Sequence, residues 1–175
     1  MSTSARRRIV NDINKLRKEV YQGISVMPFS QNMMYCQAII NGPKDTFWES
    51  GKSNVIKKFN LYTSTTIGTF NLIMQFSEEY PTKPPDVRFL SKMFHPNIYP
   101  DGRICLDILQ NQWSALIDIA SVLTSIQSLL SDPNPNSPAN TIASEMYVKE
   151  RNKYNSKVLE CVEESWSTPS YSLPK

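Results

Sequence analysis

Between Ser4 and Gln22 apolar residues return at helical spacing, with Ile9, Ile13, Leu16 and Val20 on one face. The pattern predicts an amphipathic helix whose outer face is basic. Ser4 is placed to cap its start, and Gly23 stands where it should stop. The period then changes. Ile24 to Met27 reads as a short strand bounded by Pro28, and Met34 to Ile40 as a longer one ending at the turn signal Asn41-Gly42-Pro43. From Thr69 to Phe76, Phe70, Leu72, Met74 and Phe76 alternate with Thr69, Asn71, Ile73 and Gln75, as in a half-buried strand. Val87 to Leu90 is the fourth strand. The block Tyr80 to Pro85, with Pro81, Pro84 and Pro85, cannot be helical. Short consecutive strands with short links predict an antiparallel meander.

After Leu90 the chain is irregular as far as Trp113, because Pro96, Pro100 and Gly102 interrupt any long element. Leu116 to Leu130 is apolar on nearly every side (Ile117, Ile119, Val122, Leu123, Ile126, Leu129), which predicts a buried helix. A Pro/Asn loop spans Asp132 to Pro138. Two further helices are expected, Asn140 to Lys149 and Arg151 to Trp166, with Tyr154, Val158, Val162 and Trp166 on one face of the second. The order describes an α+β domain over residues 1–166. The Ser/Pro-rich stretch 167–175 has little to bury and is expected to be a short mobile tail.

Composition narrows the function classes. The chain has 175 residues, 40% of them apolar and 20% charged, ordinary values for one soluble domain with a core. No apolar run approaches a membrane span, and the basic N-terminus is followed by no apolar signal core. The expected location is the cytoplasm and the nucleus. The net charge of +3 is mild, and Arg6-Arg7-Arg8 with Lys15, Arg17 and Lys18 reads as a solvated helix face. The interleaved aromatics of a nucleic-acid binder are missing. Cys36, Cys105 and Cys161 are too far apart for a disulfide framework or a CxxC metal site, and His95 is the single histidine. No metal and no cofactor are expected.

A lone cysteine among apolar residues is usually packing, and Cys36 in a strand and Cys161 in a helix are read that way. Cys105 differs. Asp101-Gly102-Arg103 precedes it and Pro96 and Pro100 lie upstream, so its thiol is expected on an irregular, partly exposed shelf.

His95-Pro96-Asn97, Asp101-Gly102-x-Ile104-Cys105-Leu106-Asp107-Ile108-Leu109 and Trp113-Ser114 occur in one chain. So do Tyr80-Pro81-x-Lys83-Pro84-Pro85, Gly42-Pro43 and the run Asp132 to Pro138. In these motifs, from Ser2 to Trp166, the chain resembles the ubiquitin-conjugating enzymes. Arg6-Arg7-Arg8 and the stretch Leu123 to Leu130 resemble the subgroup that ubiquitinates histones and acts in post-replication repair. The resemblance implies the ubiquitin-conjugating (UBC) fold: an N-terminal helix, four antiparallel strands, a catalytic loop and three helices. It implies that Cys105 takes ubiquitin as a thioester from the activating enzyme, which consumes the ATP. It also implies transfer to lysines of protein substrates, histones among them in that subgroup, usually with a RING-type ligase. Thioester exchange is near thermoneutral, so the few per cent thiolate of a free cysteine (pKa about 8.5) suffices without a dedicated base.

By the same resemblance Asn97 stabilises the oxyanion or holds the loop that does so. Tyr99 and Ser137 line the channel of the attacking lysine. Many relatives are acidic where this chain has Ser137, and phosphorylation of Ser137 before Pro138 would restore a negative charge. His95 and Asp107 are read as structural residues near the site. Arg7 and Arg8, on the exposed face of helix one, align with residues that meet the activating enzyme and the ligase. Thr82, Lys83, Ser114 and Ala115 complete that surface, and Tyr80-Pro81 is a candidate cis peptide. Three alternatives stay open: a non-enzymatic scaffold of the same fold, a conjugating enzyme for another ubiquitin-like modifier, and a cysteine hydrolase built on His95.

The chain departs from the family pattern between strands two and three. Lys52 to Gly68 is inserted, rich in Lys, Asn, Ile, Tyr and Thr and without an acidic residue. Without it Gly51 would run straight into Thr69 and read as ordinary family sequence. A functional extension of the hairpin and a retained intron both account for it. In this fold it should point away from Cys105.

Overall fold

The computed structural model describes residues 3–19, 21–49 and 67–167. Apart from Ile67 and Gly68 the insertion lies outside the described residues, and so does the tail beyond residue 167. Helix α1 spans Ser4–Lys18. Its cap is Thr3 rather than Ser4: the Thr3 hydroxyl accepts the Arg6 N–H at 3.3 Å. The helix also stops short of Gln22, for a physical reason. Ile24 already pairs with Ile40, and the Asn41 N–H is bound by the Gly23 carbonyl at 2.7 Å, so the chain must turn before Gly23. Gly23, at φ +72°, makes that turn.

The strands are β1 (Ile24–Phe29), β2 (Asn32–Asn41), β3 (Thr69–Gln75) and β4 (Asp86–Phe89), paired antiparallel in the order β1-β2-β3-β4. β1 continues through Pro28 instead of ending before it. A sheet edge tolerates proline, and the register shifts between Pro28 and Phe29. The period-two pattern sets the core. Val26 faces Ala38, Ala38 faces Leu72, and Leu72 faces Phe89, all buried on one side of the sheet. On the other side Ser25, Met27, Asp86 and Arg88 are exposed.

Three more helices follow: α2 (Ile119–Ser131), α3 (Thr141–Lys149) and α4 (Arg151–Ser165), with α3 packed on α4. α1 and α2 lie against β2, and α4 lies against β3. α2 is not buried all round: Ser121, Thr124 and Ser128 form an exposed stripe, while Ile119, Leu123 and Ile126 are fully buried. It also begins later than its apolar run suggests, because Asp118 caps it through the Ser121 N–H at 2.8 Å. Leu116 is left in the preceding loop, 90% exposed. In α4, Tyr154, Val158 and Val162 are buried as expected, but Trp166 falls past the helix end and is exposed.

The hairpin between β2 and β3 closes on two glycines. The Gly42 N–H binds the Gly68 carbonyl at 2.8 Å, and the Gly68 N–H binds the Glu49 carbonyl at 2.7 Å. A Cβ on Gly42 would stand 1.8 Å from the Trp48 carbonyl oxygen, so only glycine allows this crossing. The chain therefore leaves at Glu49 and returns at Gly68 across one hydrogen bond. After β4 it passes through an irregular stretch and one short 3₁₀ turn, Asp107–Leu109, before α2.

Candidate active site

The proline-rich stretch folds as predicted, into a shelf. Residues 97–105 form a tight reverse loop: Ile98 bridges Ile104, and the Tyr99 N–H binds the Arg103 carbonyl at 2.9 Å. Gly102, at φ +87°, turns it and accepts the Phe89 N–H at 2.9 Å, which fastens the loop to β4. Cys105 closes it, donating its backbone N–H to the Asn97 carbonyl at 2.9 Å. Its thiol is half-buried, whereas those of Cys36 and Cys161 are buried. Burial pushes the Cys36 thiol up to about 12 and that of Cys161 up to about 11, which keeps both protonated and inert.

Asn97 is buried beside this loop, and its amide is fully engaged. Nδ2 donates to the carbonyls of Asn134 (2.8 Å) and Ser137 (3.1 Å), and Oδ1 accepts the Asn134 N–H at 2.8 Å. The Pro96 carbonyl accepts the N–H groups of Ala139 and Asn140 as well. Together these bonds strap residues 134–140 against the thiol loop. Ser137 is exposed, and it gives its carbonyl to the strap. Tyr99 is partly exposed, with the Arg103 guanidinium over its ring at 5.2 Å.

His95 is fully buried and bonded through both nitrogens. Nδ1 accepts the Asn97 N–H at 3.0 Å, so the ring proton is on Nε2, which faces the Leu129 carbonyl at 2.9 Å. Burial lowers its pKa to about 4, against a weaker upward pull from the Leu129 carbonyl. The ring is a neutral strut between α2 and the site. Asp107 is exposed, and its backbone carbonyl organises the turn by accepting the N–H groups of Gln110 and Gln112.

The residues read as a docking surface separate into two groups. Arg7, Thr82, Lys83, Ser114 and Ala115 are exposed. Arg8 is not on an open face. Its Nε donates to Asp12 at 2.7 Å, while its terminal nitrogens donate to the carbonyls of Ala115 (2.9 Å) and Ile117 (3.2 Å). The Asp12 carboxylate also accepts the hydroxyl of buried Tyr80 at 2.6 Å. The Tyr80-Pro81 bond is cis, and the Pro81 carbonyl accepts the Trp113 indole N–H at 2.9 Å. Arg8 thus joins α1 to the loop of Ala115 and Ile117 directly and, through Asp12, to Tyr80 ahead of Thr82 and Lys83. Between its two carbonyl partners, Leu116 is turned outward. Sequence reasoning missed Leu116 because it placed the residue inside a helix; the capping pair Asp118 and Ser121 was the sign that the helix begins later. Among the described residues no cluster of His, Cys, Asp and Glu is arranged to hold a metal ion.

A family model described as ubiquitin-conjugating enzyme matches residues 62–162. The chain is 50% identical over 166 residues to ubiquitin-conjugating enzyme E2 3 of Arabidopsis thaliana, covering 95% of this chain and 99% of that one. It is 48% identical over 166 residues to ubiquitin-conjugating enzyme E2 1 of Caenorhabditis elegans, covering 95% and 78%. With the helix, four-stranded meander and three further helices in the order that fold requires, the chain belongs to the ubiquitin-conjugating enzyme family.

Proposed function

We propose that Cys105 is the residue on which this conjugating enzyme carries ubiquitin. The observation behind it is the half-buried thiol on a loop that Asn97 ties to residues 134–137, while the other two thiols lie in the core. The Cys105 thiolate attacks the thioester of the activating enzyme, whose own thiolate leaves. A neutral substrate lysine then attacks the new thioester, and the Cys105 thiolate leaves. Asn97 acts here as a positioning residue: both of its amide protons are used by the loop, so it shapes the wall of the site rather than pointing a free donor at an oxyanion. Tyr99, two residues along the loop from Asn97, and Ser137, whose carbonyl Asn97 binds, frame the path of the incoming lysine. His95 is no base, since both nitrogens are bonded and buried.

Arg7, Thr82, Lys83, Ser114 and Ala115, with Leu116, form the surface for the activating enzyme and a RING-type ligase, and Arg8 holds that surface in shape. The triple arginine Arg6-Arg7-Arg8 and the stretch Leu123 to Leu130 favour a role in histone ubiquitination and DNA damage tolerance, in the nucleus and cytoplasm. Incubation with activating enzyme, ATP and ubiquitin should give a reductant-sensitive adduct, and Cys105→Ser a reductant-resistant one. Cys36→Ser and Cys161→Ser should still form the sensitive adduct. Its persistence in Cys105→Ser would overturn the assignment.

A further inference from the structure

A cleft of about 480 Å³ begins at Tyr99 and Ile104, the residue before the thiol, and runs along the start of β4. Its lining includes buried Val87 and Ile104 beside Leu109. Two charges of opposite sign stand on its walls, Asp86 and Arg103, and they are not paired with each other. Arg103 is held in place on one side only: Nε donates to Asp101 at 2.7 Å, and the guanidinium lies over the Tyr99 ring. Its terminal nitrogens have no hydrogen-bond partner among the described residues, nor does the Asp86 carboxylate. A planar cation fixed by a carboxylate and an aromatic face, with its outer donors free, is preorganised to take a second carboxylate.

We propose that this cleft reads the charges flanking the acceptor lysine, with Arg103 taking an acidic side chain near that lysine and Asp86 a basic one further along. The inference rests on Cys105 and Tyr99 having the roles assigned above. The occupant is an extended segment of the substrate rather than of the carried ubiquitin, because the cleft begins at Tyr99, the residue assigned above to the path of the lysine. The Asp86 carboxylate and the outer donors that Arg103 leaves free of its Asp101 pairing supply the selectivity.

The test preloads Cys105 with ubiquitin, removes the activating enzyme and follows discharge onto peptides that each contain one lysine. The peptides carry Glu, Lys or Ala on either side of the acceptor, and free lysine is the reference. The native enzyme should favour a Glu-flanked over a Lys-flanked acceptor at the position facing Arg103, by roughly threefold for an exposed pair. Added salt should reduce the ratio. Arg103→Glu should invert the preference at that position, and Asp86→Lys should invert it at the other. Equal ratios for the native enzyme and both variants would overturn the proposal. So would variants that slow free lysine and every peptide alike, since the cleft would then serve the carried ubiquitin. Failure of the adduct to form on Cys105 would instead sink the underlying reading.

Discussion

At the scale of single residues, His95 is a motif residue held fully buried and bonded through both ring nitrogens. Its buried ring is neutral in the folded state, with a pKa of about 4 against an ordinary value near 6.5. An unfolded chain therefore takes up a proton that the folded one refuses, and stability falls as pH drops from about 6.5 towards 4. The loss amounts to about 3 kcal/mol once both states are protonated. Urea denaturation between pH 7 and pH 5, where most carboxylates stay ionised, should show this slope. His95→Gln should flatten it while lowering stability at pH 7; an unchanged slope in that variant would mean that the proton binds elsewhere. The nature of the His95 site was legible in sequence, because a single imidazole inside a proline-broken apolar stretch has few ways to remain solvated. Its partners were not: the Leu129 carbonyl lies 34 positions away, and no local pattern reports it. The half-buried position of Cys105 was legible for the converse reason, since Pro100 and Gly102 upstream of it exclude regular packing.

At the scale of elements, the periodicities located the four strands and four α-helices of the described residues, and the errors gathered at their ends. Pro28 sits on an edge strand, where a missing N–H costs little, and Asp118 delays α2 by claiming its first turn. Arg8 is the clearest case of a residue whose direction the helical pattern could not give. It borders the buried stripe of α1, and the groups that draw it inward are carbonyls more than a hundred positions away. Arg8→Ala should lower stability by about 2 kcal/mol, because Asp12 and two carbonyls lose their donors in a half-buried place. Arg8→Lys should recover little of it, as one ammonium cannot span the fork of partners that a guanidinium reaches. Arg7→Ala, on the open face, should leave the urea midpoint within experimental scatter. Equal midpoints for Arg7→Ala and Arg8→Ala would dismiss the staple.

At the scale of the whole molecule, the insertion enters through a gate that the sheet has already closed. Gly42, Glu49 and Gly68 complete the hairpin with their own backbone groups, so β2 and β3 keep register whatever joins residue 49 to residue 68. Deleting Lys52 to Gly68 should leave thioester formation intact, with Gly51 taking the place of Gly68. It should also raise stability by about 1 kcal/mol, as the loop that the Gly42–Gly68 bond closes becomes roughly threefold shorter. Adduct formation that appeared only after the deletion would contradict this. The insertion was legible as a break in family pattern. The clasp that isolates it was not, because it depends on how closely Gly42 passes the Trp48 carbonyl.

The strap between Asn97 and residues 134–137 has a consequence for how the protein is made. The thiol at position 105 leaves the ribosome well before the segment that shapes its surroundings. A nascent chain ending anywhere between them carries the nucleophile but lacks the Leu129 carbonyl that seats His95 and the carbonyls that hold Asn97. Vectorial synthesis therefore completes the site last: the loop that carries Cys105 has no strap to hold it until α2 has docked and the segment behind it has arrived. Chains that end before residue 134 lack the carbonyls that hold Asn97, and so should lack the wall of the site as well.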